Sequence, residues 1–518
     1  MPFEAQLMTD VRTITLQKSA PIDGVLIGNT SELTAEAPAP VAAADVEAID
    51  GISAVETHAA PAAPDHPTRA MQTRSAILTG PVLPTLLRLA LPTMTVLLAQ
   101  TAVNVAEAYY VGFLGTQALA GVALVFPVFM LMMMMSNGGL GSGVASAVAR
   151  ATGAGHKRDA DALVLHALVL AVIVGALFTI GAASGGPALY EALGGQDEAL
   201  NAALKYSNYL FAGAIPVWIV NFLAAALRGS GNVRVPAMVT LVGALVLIPF
   251  SPILIFGFGP IPRLGIAGAG IAFALYYGAA MLVLLRYMTT GRSGLTLKLG
   301  SLEGRLFKDI LRVGLPTAFS TVLTNLTVIL VTGAVGLFGT TALAAYGIAS
   351  RLDYVMIPIL FGICTAVLTM VGVNMGAGQV ARAKRIAWTS SFVGAGTAGT
   401  IGLIVAIFPT LWLHLFSHDP QVLAAGSTYL RIVAPAYGAL GLGFVIAFAA
   451  QGAGHVLWPF VGATSRLVLA AGCGWIAVSY LGGGMATLAA MVSTSLVAYA
   501  VICATAMFSG AVWRAQKG

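Results

Sequence analysis

The chain has 518 residues, of which 58% are hydrophobic and only 9% charged, with a net charge of +6 and a mean hydropathy of +0.89. Soluble globular domains carry about 25% charged residues, so this composition excludes a protein that folds in water alone. Nucleic acid is excluded as the reason for the basic balance, because Lys and Arg stand singly at the ends of apolar runs and not on a clustered polar surface.

The first seventy or so residues differ in kind. Stretches such as residues 37–45 (APAPVAAAD) and 58–67 (HAAPAAPDHP) are rich in Ala and Pro, mix charges and lack apolar periodicity. They bury too little surface to fold, and they lack the basic start and apolar centre of a secretory signal. The expected organisation is therefore a disordered cytoplasmic extension over 1–74, a first half over 75–290, a second half over 291–513 and a cytoplasmic tail over 514–518. The glycosylation pattern Asn29-Thr-Ser31 lies in that extension and is expected to go unused.

From there onward apolar runs follow one another. Residues 160–182 illustrate the type: crossing a hydrocarbon core of about 30 Å takes roughly 20 residues of helix. The expected spans are 84–112, 118–149, 160–184, 205–228, 233–257, 264–287, 311–337, 342–373, 386–414, 424–451, 457–480 and 484–512. Basic residues fall in alternate connections: His156, Lys157 and Arg158; Arg228 and Arg234; Arg286, Arg292, Lys298, Arg305 and Lys308; Arg382, Lys384 and Arg385; then Arg514 and Lys517 at the end. The positive-inside rule places those connections and both termini in the cytoplasm. Cys364, Cys473 and Cys503 sit inside apolar segments without CxxC spacing and read as small core residues.

The sequence repeats itself. Residues 87–120 (LRLALPTMTVLLAQTAVNVAEAYYVGFLGTQALA) align without a gap on residues 311–344 (LRVGLPTAFSTVLTNLTVILVTGAVGLFGTTALA). The correspondence returns at TGAG (152–155) against MGAG (375–378), and at LRGSGNVRVP (227–236) against AQGAGHVLWP (450–459). Each half holds an even number of spans, so the halves share orientation. The fold expected is an all-α polytopic membrane protein of about twelve transmembrane helices, built as two six-helix bundles related by a pseudo-two-fold axis along the membrane normal. Transporters with parallel repeats place their substrate site between the halves.

The motifs LALP, EAYYVGFLGTQALAG and GLGSGVASAVARATGAG, with ASRLDYVMIPILFGICTAVLTMVGVNMGAG over 349–378, resemble the multidrug and toxic compound extrusion family. The Arg-Leu-acid start of the last segment is closer to its DinF-like branch. The resemblance implies a V-shaped cavity between the bundles and export of amphipathic organic cations against an inward flow of protons or sodium ions. It implies a monomer in the bacterial inner membrane, with the lipid bilayer, small organic cations and other amphipathic compounds as partners, and no nucleic acid.

Glu107 is the first candidate for the coupling chemistry. A carboxyl inside a span is costly and usually marks an ion or proton path. Gln100, Asn104 and Glu107 share one helical face, expected to look into the bundle, and Glu107 can take a proton outside and release it inside. A snorkelling or hydrogen-bonded structural Glu is the alternative. In the family an Asp fifteen residues after the Leu-Pro motif is the candidate coupling carboxylate, and Glu107 has that spacing from Pro92. The family's fifth-span Asn and Asp are replaced by Leu247 and Ser251 in VLIPFSPILIFG (246–257). One acid in place of two favours a proton over sodium, with no further cofactor.

Arg351 and Asp353 in the eighth span and Arg466 in the eleventh are the other intramembrane charges expected. Asp353 is a second ion-coupling candidate, paired with either arginine, and a purely structural pair is an equal alternative. The seventh-span Glu of NorM-like members is absent; its region reads TVLTNLTV (321–328), with Asn325 nearest. Met130 and Met132 to Met135 offer a soft surface, with Met133 the expected cavity residue; most of that cluster must still touch lipid or core. Tyr109, Tyr110 and Phe126 can face a cationic ring, with Tyr110 assigned to the cavity, although interfacial anchoring suits the tyrosines equally. Pro92 is the expected hinge.

Gly394-Ala-Gly396-Thr-Ala-Gly399 fits GxGxxG, but it lies in an apolar span with no strand before it, so small-residue helix packing is the better reading. A membrane enzyme is disfavoured by the absence of HExxH, GxSxG or a His–carboxylate cluster, and an ATP-driven pump by the absence of a phosphate-binding loop. Flipping or exporting a lipid-linked or amphipathic metabolite is the remaining alternative, and it calls for a more cationic cavity.

Overall fold

The computed structural model describes residues 69–291 and 293–513; the expected extension up to residue 68, Arg292 and the expected tail over 514–518 lie outside the described residues. Eleven helices there are long and apolar enough to cross a membrane. In the first half they are Val82–Gly112 (first span), Thr116–Ala154 (second), Lys157–Ala192 (third), Arg234–Phe256 (fifth) and Ile266–Thr289 (sixth). In the second half they are Gly304–Gly336 (seventh), Thr340–Gly376 (eighth), Val380–Ile407 (ninth), Pro420–Ala453 (tenth), Leu457–Ser479 (eleventh) and Met485–Phe508 (twelfth). The bent pair Asp197–Ala212 and Ala214–Gly229, angled by 46°, is the fourth. The described residues form an all-α integral membrane protein of eleven spans, or twelve with the bent pair counted as one.

Several boundaries differ from the sequence reading by up to eight residues, and three features of the spans have a local reason. The fourth span starts at Asp197, not 205, and breaks at Gly213, because Pro216 has no N–H to give the carbonyl of residue 212. The tenth span has a tighter turn at the corresponding place, Ala434–Ala436, around Pro435. The ninth stops at Ile407, where Pro409 starts the separate short helix Pro409–Leu413.

A further difference concerns the expected extension, whose limit at residue 74 falls inside a helix, Arg69–Thr79. One side chain, Ile77, anchors it in the core at 1% exposure. Arg74 Nη2 donates to the Gly153 carbonyl of the first half at 2.9 Å. Asn374 Nδ2 and Arg382 Nε of the second half both donate to the Ile77 carbonyl, and Arg382 also reaches the Gly80 carbonyl. This leading helix therefore straps the two halves together, although one fully buried apolar side chain, Ile77, with part-buried Leu78 beside it gives it no periodic signature.

The halves meet through paired contacts that make the pseudo-two-fold axis explicit. A Cβ on Gly153 would overlap the Val373 carbonyl, and one on Gly376 would overlap the Arg150 carbonyl; these are repeat-equivalent positions contacting each other crosswise. Gly372 lies against Ala149, its own equivalent. Ser146 Oγ donates to the Gln451 carbonyl, and Thr369 Oγ1 donates to the Arg228 carbonyl at 3.0 Å. Small residues let the backbones approach this closely, which lipid-embedded helices need in the absence of a strong hydrophobic drive.

All of these contacts lie towards one end, the end that also carries Lys157, Arg158, Arg234, Arg286, Lys298, Arg305, Lys384 and Arg385; we call it the basic end. The connection between the halves is tied down there. Asp161 accepts from the Thr296 N–H at 2.7 Å, Arg305 bridges Asp159 at 3.2 Å, and His166 Nε2 accepts from the Glu303 N–H at 2.8 Å. Towards the opposite end the same helix faces part. In the first span Ala90 and Met94 lie against Gly362 of the second half, whereas Thr101, Asn104 and Ala108 farther along that face are exposed. In the seventh span Gly314 and Ala318 pack on the second span, whereas Val328 and Ile329 are 49% and 62% exposed. The result is a cleft between the halves, shut at the basic end.

Candidate functional site

The floor of the cleft is marked by Asn325, whose Nδ2 lies 3.6 Å from Met134 Sδ across the interface while also donating to the Thr321 carbonyl at 2.9 Å. Met134 thus takes the place expected of Met133. The latter faces its own bundle, accepting from the Tyr277 hydroxyl at 3.9 Å, because adjacent residues of the helix Thr116–Met134 point about 100° apart. Tyr110 is likewise not a cleft residue: it is part-buried against the first-half core, and the exposed ring is Tyr109, edge-on to Phe113 at 4.9 Å. Pro92 lies in the first span, which continues unbroken from Val82 to Gly112.

Along the first span Asn104 opens to the cleft, Gln100 is half-buried, and Glu107 turns inward. Glu107 Oε1 is buried without a hydrogen-bond partner, and no described cation makes an ion pair with it. One turn earlier, Val103 packs among Leu247, Leu254 and Ala272, so this part of the face looks at the fifth and sixth spans. Ser251 Oγ in the fifth span is also buried and unpartnered, at 2% exposure. Tyr206 of the fourth span lies within electrostatic reach of Glu107. The first-half site is thus a single carboxyl in a nearly apolar setting. Among the described residues no group of three or more His, Cys, Asp or Glu side chains is placed to hold a metal ion.

The second half presents a different arrangement. Asp353 sits with the Tyr437 hydroxyl within hydrogen-bonding reach and Arg466 within electrostatic reach, its Oδ1 unpartnered. Tyr429 packs edge-on to Tyr346 at 5.3 Å beside it. Arg466 lies over the Tyr499 ring at 5.7 Å. Arg351 does not join this group. Two residues along a helix point about 200° apart, so its side chain is exposed and rests over Phe416 at 5.2 Å. Of the two arginines proposed as partners for Asp353, the structure keeps Arg466.

Two further cations lie inside the bundle. Arg150 bridges Asp309 at 3.2 Å and donates to Ser146. Arg228 is held within the fourth span and not in the connection after it, with Nη2 donating to Asn137 Oδ1 at 2.8 Å. The signal was present in the repeat, where Arg228 aligns with neutral Gln451; reading it as a loop charge for orientation concealed it. At the opposite end, Arg263 is an exception to the charge asymmetry on which orientation rests.

The sequence profile of the MatE family matches twice, over residues 92–253 and 316–476, once in each half. A protein of Shewanella oneidensis named as an FAD transporter is 28% identical over 409 residues, covering 77% of this chain and 88% of its own length. A probable multidrug resistance protein NorM of Thermotoga maritima is 26% identical, covering 73% of this chain and 81% of its own. Among solved structures, a MOP superfamily transporter from Pyrococcus furiosus superposes with a TM-score of 0.78 at 25% identity, over 85% of this chain and 98% of its own.

Proposed function

The chain belongs to the MatE family of transporters, and from that premise we propose that it is a secondary active exporter of amphipathic, often cationic, small molecules, driven by inward proton flow through Glu107. The basic end is read as cytoplasmic in a bacterial inner membrane by the positive-inside rule, so the cleft described here opens outward. Transport then requires the inverse state, in which the paired bonds Ser146–Gln451 and Thr369–Arg228 part and the outer faces close.

One observation supports proton coupling: Glu107 has an orphaned carboxyl oxygen and no second acid beside it. A sodium ion needs several oxygen ligands, and the positions that would supply them hold Leu247 and a single hydroxyl, Ser251. A proton needs only the carboxyl, and its binding removes an uncompensated buried charge. Coupling follows if the protonated form suits one state of the cleft and the ionised form the other, since a ligand with equal affinity for both shifts nothing. Asp353 has Arg466 and Tyr437 to balance it, and we assign it chiefly to charge compensation.

The test is transport by reconstituted vesicles under imposed proton and sodium gradients, with ethidium as the cationic probe. The reading expects ethidium to be driven by the proton gradient and Glu107→Gln to lose that drive. Drive by sodium alone would remove the proton assignment. A second reading, export of an amphipathic metabolite with an anionic group, draws on the relative named as an FAD transporter and on the buried cation Arg228.

A further inference from the structure

Arg228 differs from the other cations held inside the bundle. Arg150 has Asp309 and Arg466 has Asp353. Among the described residues no carboxylate pairs with Arg228 or lies within electrostatic reach of it. Its guanidinium borders a small cavity at the junction of the halves, lined also by Asn137, Ser142, Thr365, Thr369 and Phe448. Asn137 lies about one turn below Met134, which marks the cleft floor, so the cavity is just beneath that floor.

The surroundings hold the guanidinium in place without neutralising it. Asn137 belongs to the π-turn Met135–Gly139, pinned by the bond from Asn221 Nδ2 to Ser136 Oγ at 2.7 Å. That turn aims the Asn137 amide oxygen at Arg228 Nη2, and both residues line the cavity. An unpaired cation at this depth is costly, and a planar guanidinium is suited to gripping an oxyanion through two parallel N–H donors.

We propose that Arg228, positioned by Asn137, is a subsite for the carboxylate or phosphate group of an amphipathic substrate. This rests on the export reading and names a substrate class for it. The cavity is lined by residues of both halves, and beside it the Thr369 hydroxyl of the second half donates to the Arg228 carbonyl of the first. Separation of the basic ends therefore opens the site to the cytoplasm, and their closure compresses it. An anionic head is gripped in the inward-open state and loses room in the outward-open one, which is the differential affinity that export needs.

The test uses two ligands with one ring system, riboflavin and riboflavin 5′-phosphate, and measures equilibrium binding to the purified full chain by fluorescence. Hydrogen bonds to charged groups are worth about 1.5–3 kcal/mol, so the phosphate ester should bind roughly tenfold or more tighter than riboflavin. Arg228→Gln should reduce that ratio to about twofold or less, and Arg228→Lys should keep part of it. Asn137→Asp, which keeps the arginine but sets a carboxylate against it, should also abolish the preference, and it decides the question if Arg228→Gln does not fold. No preference in the parent, or a preference kept in both Arg228→Gln and Asn137→Asp, overturns the proposal. Because this is a binding ratio, it is read independently of transport: failure of gradient-driven ethidium transport would remove the cationic substrate class and leave this subsite to be judged by the ratio.

Discussion

At their interface, Ser146 of the first half donates to the Gln451 carbonyl and Thr369 of the second donates to the Arg228 carbonyl, so each half offers the other the same bond from the same place. Inside the bundles the equivalence ends. Glu107, bare in the first half, aligns with Val331, a buried core residue of the second, while the second half's Asp353 comes with an arginine and a phenol. On the proposed export cycle the interface closes and reopens with both halves moving alike, which would keep it paired, and the proposed coupling needs one uncompensated charge. Duplication thus supplies the hinge geometry, and divergence supplies the chemistry.

Substitutions at paired positions test how far the two halves are equivalent. The largest effects belong to the crossed glycines. Gly153→Val and Gly376→Val each drive a side chain into a facing carbonyl, and overpacking of this kind costs about 1–3 kcal/mol or more. Thermal unfolding in detergent should show losses of similar size for the two, and a loss confined to one would contradict an equivalent interface. Next come the paired hydroxyls. Thr369→Ala should weaken closure of the basic end by about 1 kcal/mol, and Ser146→Ala by more, because Arg150 also loses an acceptor. Spin-label distances between Lys157→Cys and Lys384→Cys would report the open fraction, with Ser146→Ala expected to show the larger shift. Arg382→Ala should raise the same open fraction by loosening the leading helix from the second half, where only the Asn374 bond to the Ile77 carbonyl remains of the bonds described above. Smallest of all, Arg351→Gln should change stability by less than about 1 kcal/mol, since it removes only an exposed contact with the Phe416 ring; a larger loss would return Arg351 to the Asp353 group.

Much of this was legible in the sequence because membrane physics writes it in long-range patterns. Apolar runs announced all twelve spans, and the repeat announced two equivalent lobes. Glu107 announced itself as a carboxyl where lipid tolerates few. What was not legible depends on register and on contacts across the interface. Within the run of methionines it is Met134 and not Met133 that meets Asn325, and a run that covers every helix face carries no signal for choosing between them. Arg228 looked like an orienting loop charge because the fourth span seemed to end there, whereas its chain continues inside the bundle to Gly229. The helix Arg69–Thr79 is held by Ile77 and by side chains some three hundred residues away, which a local reading of an Ala/Pro-rich region does not weigh.

The measurement that bears most directly on an asymmetric chemistry in a symmetric frame is proton-gradient-driven transport by the parent, Glu107→Gln and Asp353→Asn, each in vesicles at matched protein density. The account predicts that Glu107→Gln loses gradient drive by roughly tenfold or more, as removal of a coupling group should, while Asp353→Asn retains a substantial part of it. Full drive in Glu107→Gln with loss in Asp353→Asn would place the coupling in the other half and contradict the account.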